Sequence, residues 1–351
     1  MDPRGHDPMP LAARRTFRLA ATVGLALSVS YGIGAPLPYL APLLAFFLTA
    51  KPSSPLLPKQ LLVAALALFI ILGTGVVIAP WVSQYPPVGI TVVAVGLFIS
   101  SRLSIAGEKA AVGTLLAAGL TLVSAMGVIS LALAQAIITA LVIAFVLAVL
   151  AQWVTWPLFA ESSVELEDSH GGDAESIMGL QRRAANAVVV ILPAYLFLLS
   201  NPTGNTPVMM KAIVLAQTGS ARDARQAARE LLGATLVGGV LAATLWFALK
   251  LAPNLWFFAL WVSLAMVWIA RHLYLPRPTG PSVQFWIDTA VTCLILLGAA
   301  VSDSANGKDP YQGFLFRFGL FTLVSVYAWV AFTLMGRVTH LGPQTTHPQD
   351  V

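Results

Sequence analysis

Apolar runs long enough to cross a bilayer follow one another along this chain, separated by short polar or basic segments. A helix needs about 20 apolar residues to cover roughly 30 Å of hydrocarbon, and fewer where the bilayer thins or water enters. On that basis the pattern predicts twelve spans. They lie at 17–34, 37–50, 61–79, 87–101, 110–127, 129–152, 184–200, 206–219, 232–250, 254–270, 285–302 and 312–336. A backbone inside lipid must satisfy its own hydrogen bonds, and none of the runs alternates like a barrel strand, so the spans are read as helices.

An acidic stretch from Glu161 to Glu175 divides the spans six and six, and the halves echo each other. Each opens on paired arginines, Arg14 with Arg15 and Arg182 with Arg183. A shift of 165 positions lays Pro42 on Pro207, Gly73 on Gly238 and Trp81 on Trp246. The expected fold is an all-α integral membrane protein of two parallel six-helix repeats, an organisation typical of transporters. The expected divisions are a disordered terminus at 1–13, the first repeat at 14–157, an acidic linker at 158–182, the second repeat at 183–337 and a disordered tail at 338–351.

Composition strengthens the membrane assignment. Charged residues make up 10% of the chain and apolar residues 58%, with a mean hydropathy of +0.81. Soluble domains carry roughly 25% charged residues, so this chain cannot clothe a water-facing surface. Further apolar runs follow the first, which is therefore not read as a cleaved signal peptide. Charge then gives orientation. With the N-terminus in the cytoplasm, Lys250 and Lys308 fall in outer loops, Lys211 and Arg317 within spans, and the remaining lysines and arginines inside. Both termini are expected in the cytoplasm, and the membrane is expected to be a bacterial inner membrane. The basic residues are scattered between spans, so the formal charge of +5 is a topology signal and not a nucleic-acid one.

Two spans are short and occupy matching places, 37–50 and 206–219. Pro38, Pro42 and Pro207 each remove a backbone donor there. Such interrupted spans in corresponding positions point to a transporter's binding site, or else to helices kinked for packing. Lys211, in the second short span, is placed to hold an anionic group or to snorkel to the interface. Its counterpart under the repeat is Phe46, so the site is expected to be asymmetric. Asn205 and Thr206 precede Lys211, where the amides of a helix start favour anions. Asp288 is read as a proton-carrying carboxylate or as the cap of a helix start. Arg317 attracts anions at the outer mouth or pairs with Asp303 or Asp309. Arg222, Arg225 and Arg229 share a helical face suited to lipid phosphates, and Gly233, Gly238 and Gly239 follow where helices can approach closely. Cys293 is the single cysteine, and the histidines are scattered, so neither a disulfide within the chain nor a metal site is expected. Enzyme motifs and ATP-binding signatures are missing, and neither catalysis nor a cofactor is expected.

Three segments carry a resemblance to a known family: RRTFRLAATVGLALSVSYG, PYLAPLLAFFLTAKPS and ARELLGATLVGG. Together they resemble the fusaric-acid-resistance superfamily of aromatic carboxylic acid exporters, closest to its compact bacterial branch. The resemblance implies an inner-membrane exporter of small organic anions that works with a periplasmic adaptor of the membrane-fusion kind, and a homo-oligomeric assembly is among the expected partners. Plant anion channels lie further off in the same superfamily, so a passive channel remains open, as does a non-transporting subunit of an envelope complex. One departure is that family members carry sizeable cytoplasmic domains, where this chain has only the acidic linker and a tail. Of the family's features, only Arg222, Arg225, Arg229, Gly233 and Gly238 carry over, as a structural hallmark.

Overall fold

The computed structural model describes residues 10–51, 54–105, 110–159, 177–218, 224–275 and 280–340. Among them there is no strand. The helices of the first half are α1 (Leu11–Gly32), α2 (Leu40–Ala50), α3 (Pro58–Gln84), α4 (Pro86–Ile105), α5 (Ala110–Ala118), α6 (Ser124–Ile129) and α7 (Leu131–Thr155). A π-helical turn, Gly119–Val123, joins α5 to α6 without a break. The second half contributes α8 (Ile177–Ser200), α9 (Pro202–Thr218), α10 (Ala224–Leu251), α11 (Leu255–Tyr274), α12 (Val283–Ala305) and α13 (Pro310–His340).

Local chemistry explains where many of these begin. Pro58, Pro86, Pro202 and Pro310 are the first residues of α3, α4, α9 and α13, in the first turn where an N–H has no intrahelical partner to lose. Ser130, Asn254 and Ser282 cap α7, α11 and α12, each side chain accepting from a backbone N–H three residues on. Nine helical stretches among the described residues are long and apolar enough to cross a membrane. The chain is an all-helical, multi-pass membrane protein. Three other helices fall at expected spans. Of these, α1 starts with Arg14, Arg15 and Arg18, α2 has 11 residues and α9 has 17. At 1.5 Å per residue α2 is only about 17 Å long, well short of the hydrocarbon thickness.

Burial sorts the helices into an inner and an outer set. Along their most apolar stretches α12 is 78% buried and the α5–α6 helix 61%, against 17% for α3 and 22% for α13. Leu62, Leu66, Ile70 and Val77 of α3 are exposed apolar side chains, as a lipid-facing surface requires. The closest packing is α1 on α11, α10 on α12, α2 on α7 and α1, α9 on α8, and α4 on both α5 and α8. Two of these pairs cross between the halves: α1 with α11, and α4 with α8. The short helices lie inside: α12 touches both α2 and α9, and α9 also meets α5, the π turn and α6.

Lipid supplies no hydrophobic drive for helices to associate, so close van der Waals contact has to do it, and small residues permit that contact. A Cβ on Gly75 of α3 would lie 2.1 Å from the Gly119 carbonyl oxygen in the π turn. A Cβ on Gly238 of α10 would lie 2.7 Å from the Thr289 carbonyl oxygen of α12. Gly73, which the 165-position shift pairs with Gly238, has open space where its Cβ would be. We therefore expect Gly75→Ala and Gly238→Ala each to destabilise the protein by about 1–3 kcal/mol through overpacking, with Gly73→Ala near neutral. Unfolding of the three variants in detergent tests this, and equal losses at Gly73 and Gly75 would show that the contact does not matter.

Candidate functional site

Besides the Arg317–Asp303 ion pair, the described interior brings two buried charges from different helices near each other, Lys211 and Asp288, joined through the Asp288 main chain and not through its carboxylate. Lys211 is the tenth of the 17 residues of α9 and is fully buried. Its side chain does not snorkel. The ammonium donates to Thr292 Oγ1 at 2.6 Å and to the main-chain carbonyl of Asp288 at 3.4 Å, both on α12. Thr292 Oγ1 in turn donates to the same carbonyl at 2.7 Å. An ammonium carries three donors, so one is left for a further acceptor.

Asp288 is 3% exposed, and its Oδ1 has no hydrogen-bond partner among the described residues. Lys211 from α9 and Glu230 from α10 are the charges that act on it. It does not cap its helix, because Ser282 occupies that place and Asp288 lies six residues further on. Gly238 keeps α10 close to α12 at Thr289 and Thr292, and Gly233 of α10 packs against Phe285. The glycines expected to admit close approach thus bring α10 against the charged stretch of α12.

The structure brings some of the remaining residues anticipated from the sequence near α9 and places others far from Lys211. Helix α9 begins at Pro202, four residues before the expected start of the span, and Asn201 Oδ1 accepts from Gly204 N at 3.1 Å at its first turn. The free amides of the helix start therefore lie ahead of Asn205 and Thr206, whose side chains are buried and satisfied locally. Asn205 Nδ2 donates to the Phe197 carbonyl and Thr206 Oγ1 to that of Pro202. Pro207 is internal to α9, whereas Pro42 sits in the first turn of α2 and does not interrupt it. Phe46 is fully buried and meets Phe47 edge-on. Arg317 of α13 pairs with Asp303 of α12 through both guanidinium nitrogens, at the opposite end of α12 from Ser282. Arg229 is exposed, Arg225 lies in α10, and Arg222 and most of the acidic linker fall outside the described residues.

Over residues 15–154 the chain is similar to a family described as proteins of unknown function, DUF2955. No curated protein and no solved structure matches it. The matched segment runs from the start of α1 to the end of α7.

Sequence reasoning missed several polar contacts in this interior. Thr292 follows Asp288 by four residues, one helical turn, and that spacing was the available signal. Ser124, just after the π turn, hydrogen-bonds the fully buried Tyr195 of α8 at 3.0 Å. Nothing in the local sequence announces that pairing. A second polar cluster lines a small cavity between α1, α2 and α7: Arg18, Thr22, Thr49, Gln152, Thr155 and Trp156. The Arg18 guanidinium lies 4.5 Å from the Trp156 ring centroid, and the Arg18 side chain is 3% exposed.

Two buried charges of opposite sign offset each other even without direct contact, so removing one leaves the other uncompensated, whereas removing both can cost little. We expect Lys211→Met to destabilise strongly and the double variant Lys211→Met/Asp288→Asn to recover at least about 1 kcal/mol of that loss. A double-mutant cycle of unfolding in detergent measures this. Additive losses would mean that the two groups act independently.

Proposed function

We propose that this chain is a secondary transporter of the bacterial inner membrane that exports small organic anions, aromatic carboxylates foremost, at the expense of the proton gradient. The observation that carries the reading is the fully buried ammonium of Lys211, bonded to the main-chain carbonyl of Asp288, whose carboxylate Oδ1 has no hydrogen-bond partner among the described residues. A lysine within a span costs about 2.5–3.5 kcal/mol on insertion scales and marks ion and substrate pathways when it faces the bundle interior.

The chemistry follows from charge balance. The empty site, with Lys211 protonated and Asp288 ionised, is neutral. An incoming carboxylate becomes the counter-ion of Lys211, and the site regains neutrality when Asp288 takes up one proton. Anion binding and protonation of Asp288 are thereby linked at a single place; for the proton gradient to drive export, the proton must enter from the outer side and leave to the cytoplasm after the anion has gone. Asn205 and Thr206 shape the start of α9, and Pro207 frees the main-chain carbonyl one turn before it, so polar main chain lies close to the cargo. Phe46 supplies an apolar wall for an aromatic ring.

The scaffold reading is twelve spans in two parallel repeats, with both termini in the cytoplasm. The packing supports it: α3 on α5–α6 answers α10 on α12, and the crossing pair α1 with α11 answers α8 with α4. A close-packed glycine serves each answering pair, Gly75 in one and Gly238 in the other. The family match closes within the expected first repeat. The charge bias between loops supports the orientation. A periplasmic adaptor and a homo-oligomeric assembly rest on the resemblance of the sequence alone.

Everted vesicles containing the protein should accumulate a labelled aromatic acid such as benzoate, and a protonophore should collapse that accumulation. Lys211→Met should reduce it at least about 10-fold while the protein remains in the membrane, about 1.4 kcal/mol or more in the affinity for the anion. Flux that follows the anion gradient alone would replace the exporter by a channel. Unchanged flux in the variant would remove Lys211 from the pathway.

A further inference from the structure

Charge balance at Lys211 leaves a question of direction. A proton bound together with the cargo and released on the same side would be exported with it, and the proton gradient would then oppose the cycle. For that gradient to drive export, Asp288 needs a way to lose its proton toward the cytoplasm apart from the route of the anion.

The start of α12 carries the chemistry for such a route. Gln284, Asp288 and Thr292 recur at four-residue intervals and so occupy one face over successive turns. Gln284 Nε2 is buried and, like Asp288 Oδ1, has no hydrogen-bond partner among the described residues. Gln284 nevertheless stands near enough to act on the Asp288 carboxylate. The Gln284 amide is close enough to hold the Asp288 carboxylate directly or through a single water molecule, and a water there can pass a proton on. Beyond Gln284, at the helix start, the Ser282 hydroxyl donates to the Glu230 carboxylate of α10. Glu230 is half-buried, and its charge acts on Asp288.

We propose that Glu230, Gln284 and Asp288 form a proton path from the Lys211 site to the N-terminal end of α12, with Glu230 as the carboxylate that receives the proton from Asp288 and passes it to water. The inference rests on the reading of Asp288 as proton carrier and adds the side on which the proton leaves. The transfer is balanced: the Asp288 O–H bond breaks as a water O–H bond forms, the relayed proton reaches the Glu230 carboxylate, and Glu230 then loses it to solvent.

Other charged groups packed on α12 do not serve the same end. Lys211 of α9 is the counter-ion of Asp288 itself. His272 of α11 stacks on Trp286, and its Nδ1 is engaged with the Trp268 carbonyl. Arg317 of α13 is paired with Asp303, fifteen residues further along α12 and so about 22 Å away. The contact that α2 makes near Gly298 is with Tyr39.

The test needs no cargo and is therefore independent of whether transport is observed. The full-length protein in lipid nanodiscs is subjected to a rapid pH change while the carboxylic C=O infrared band is followed, with Asp288→Asn identifying the part of the signal that belongs to Asp288. Glu230→Gln and Gln284→Leu should slow that part at least 10-fold with its amplitude preserved, and Glu230→Asp should restore the rate. An Asp288 signal that responds at the wild-type rate in Glu230→Gln, or no Asp288-dependent signal at all, would overturn the proposal. In the vesicle assay described above, loss of benzoate accumulation in the wild type would instead remove the transport reading. The two failures are thus separate.

Discussion

A lysine ammonium in a membrane bundle has to be surrounded by protein acceptors, and that requirement fixes more of this structure than any other single contact. Lys211 is fully enclosed by protein at the middle of α9, so α12 must lie against it with polar atoms in register. The register is set from the other side by Gly238, which lets α10 approach Thr289 and Thr292 without a side chain between them. Enclosure of α12 follows, since a helix holding Asp288, Thr292 and Asp303 cannot turn those faces to lipid. The outer helices then need only apolar faces, and α3 and α13 have them.

The two ends of α12 are built differently, although each carries a carboxylate. Asp303 meets the planar guanidinium of Arg317 in a two-pronged pair, which satisfies both oxygens and fixes α13 to α12. Asp288 meets an ammonium that bonds to its main chain, and its Oδ1 is left without a hydrogen bond. The first arrangement suits a permanent joint. The second leaves both a donor and an acceptor for something that arrives and departs.

Much of the architecture was legible in the sequence because its cause is local. Runs of apolar residues specify membrane helices directly, prolines and cap residues mark their starts, and the shortness of α2 and α9 shows as missing length. Lys211 and Asp288 stood out individually, since charge is rare and costly at that depth. Their meeting did not. It depends on how α9 and α12 are rotated and how far each extends, and the true start of α9 at Pro202 was not evident from hydropathy. The same limit explains Gly73 and Gly75: both lie on α3, and only the packed position of the π turn singles out Gly75. Polar contacts between distant helices, such as Ser124 with Tyr195, carry no local pattern at all.

Whether the Lys211–Asp288 pair exists for stability or for function can be argued from the chain itself. Buried ion pairs are poor stabilisers, because desolvation consumes most of what the attraction returns, and apolar replacements of similar volume are often as good or better. The 165-position correspondence places Phe46 where the second half has Lys211, and Phe46 is fully buried among apolar neighbours. A short helix in that position therefore packs well with an aromatic side chain, and the fold does not by itself call for a cation. Retaining the lysine adds an insertion cost, requires a matched carboxylate and threonine on α12, and leaves a buried oxygen without a hydrogen bond. These costs have no counterpart at Phe46, the matching position of the first half, so the packing of a short helix at that place does not account for them.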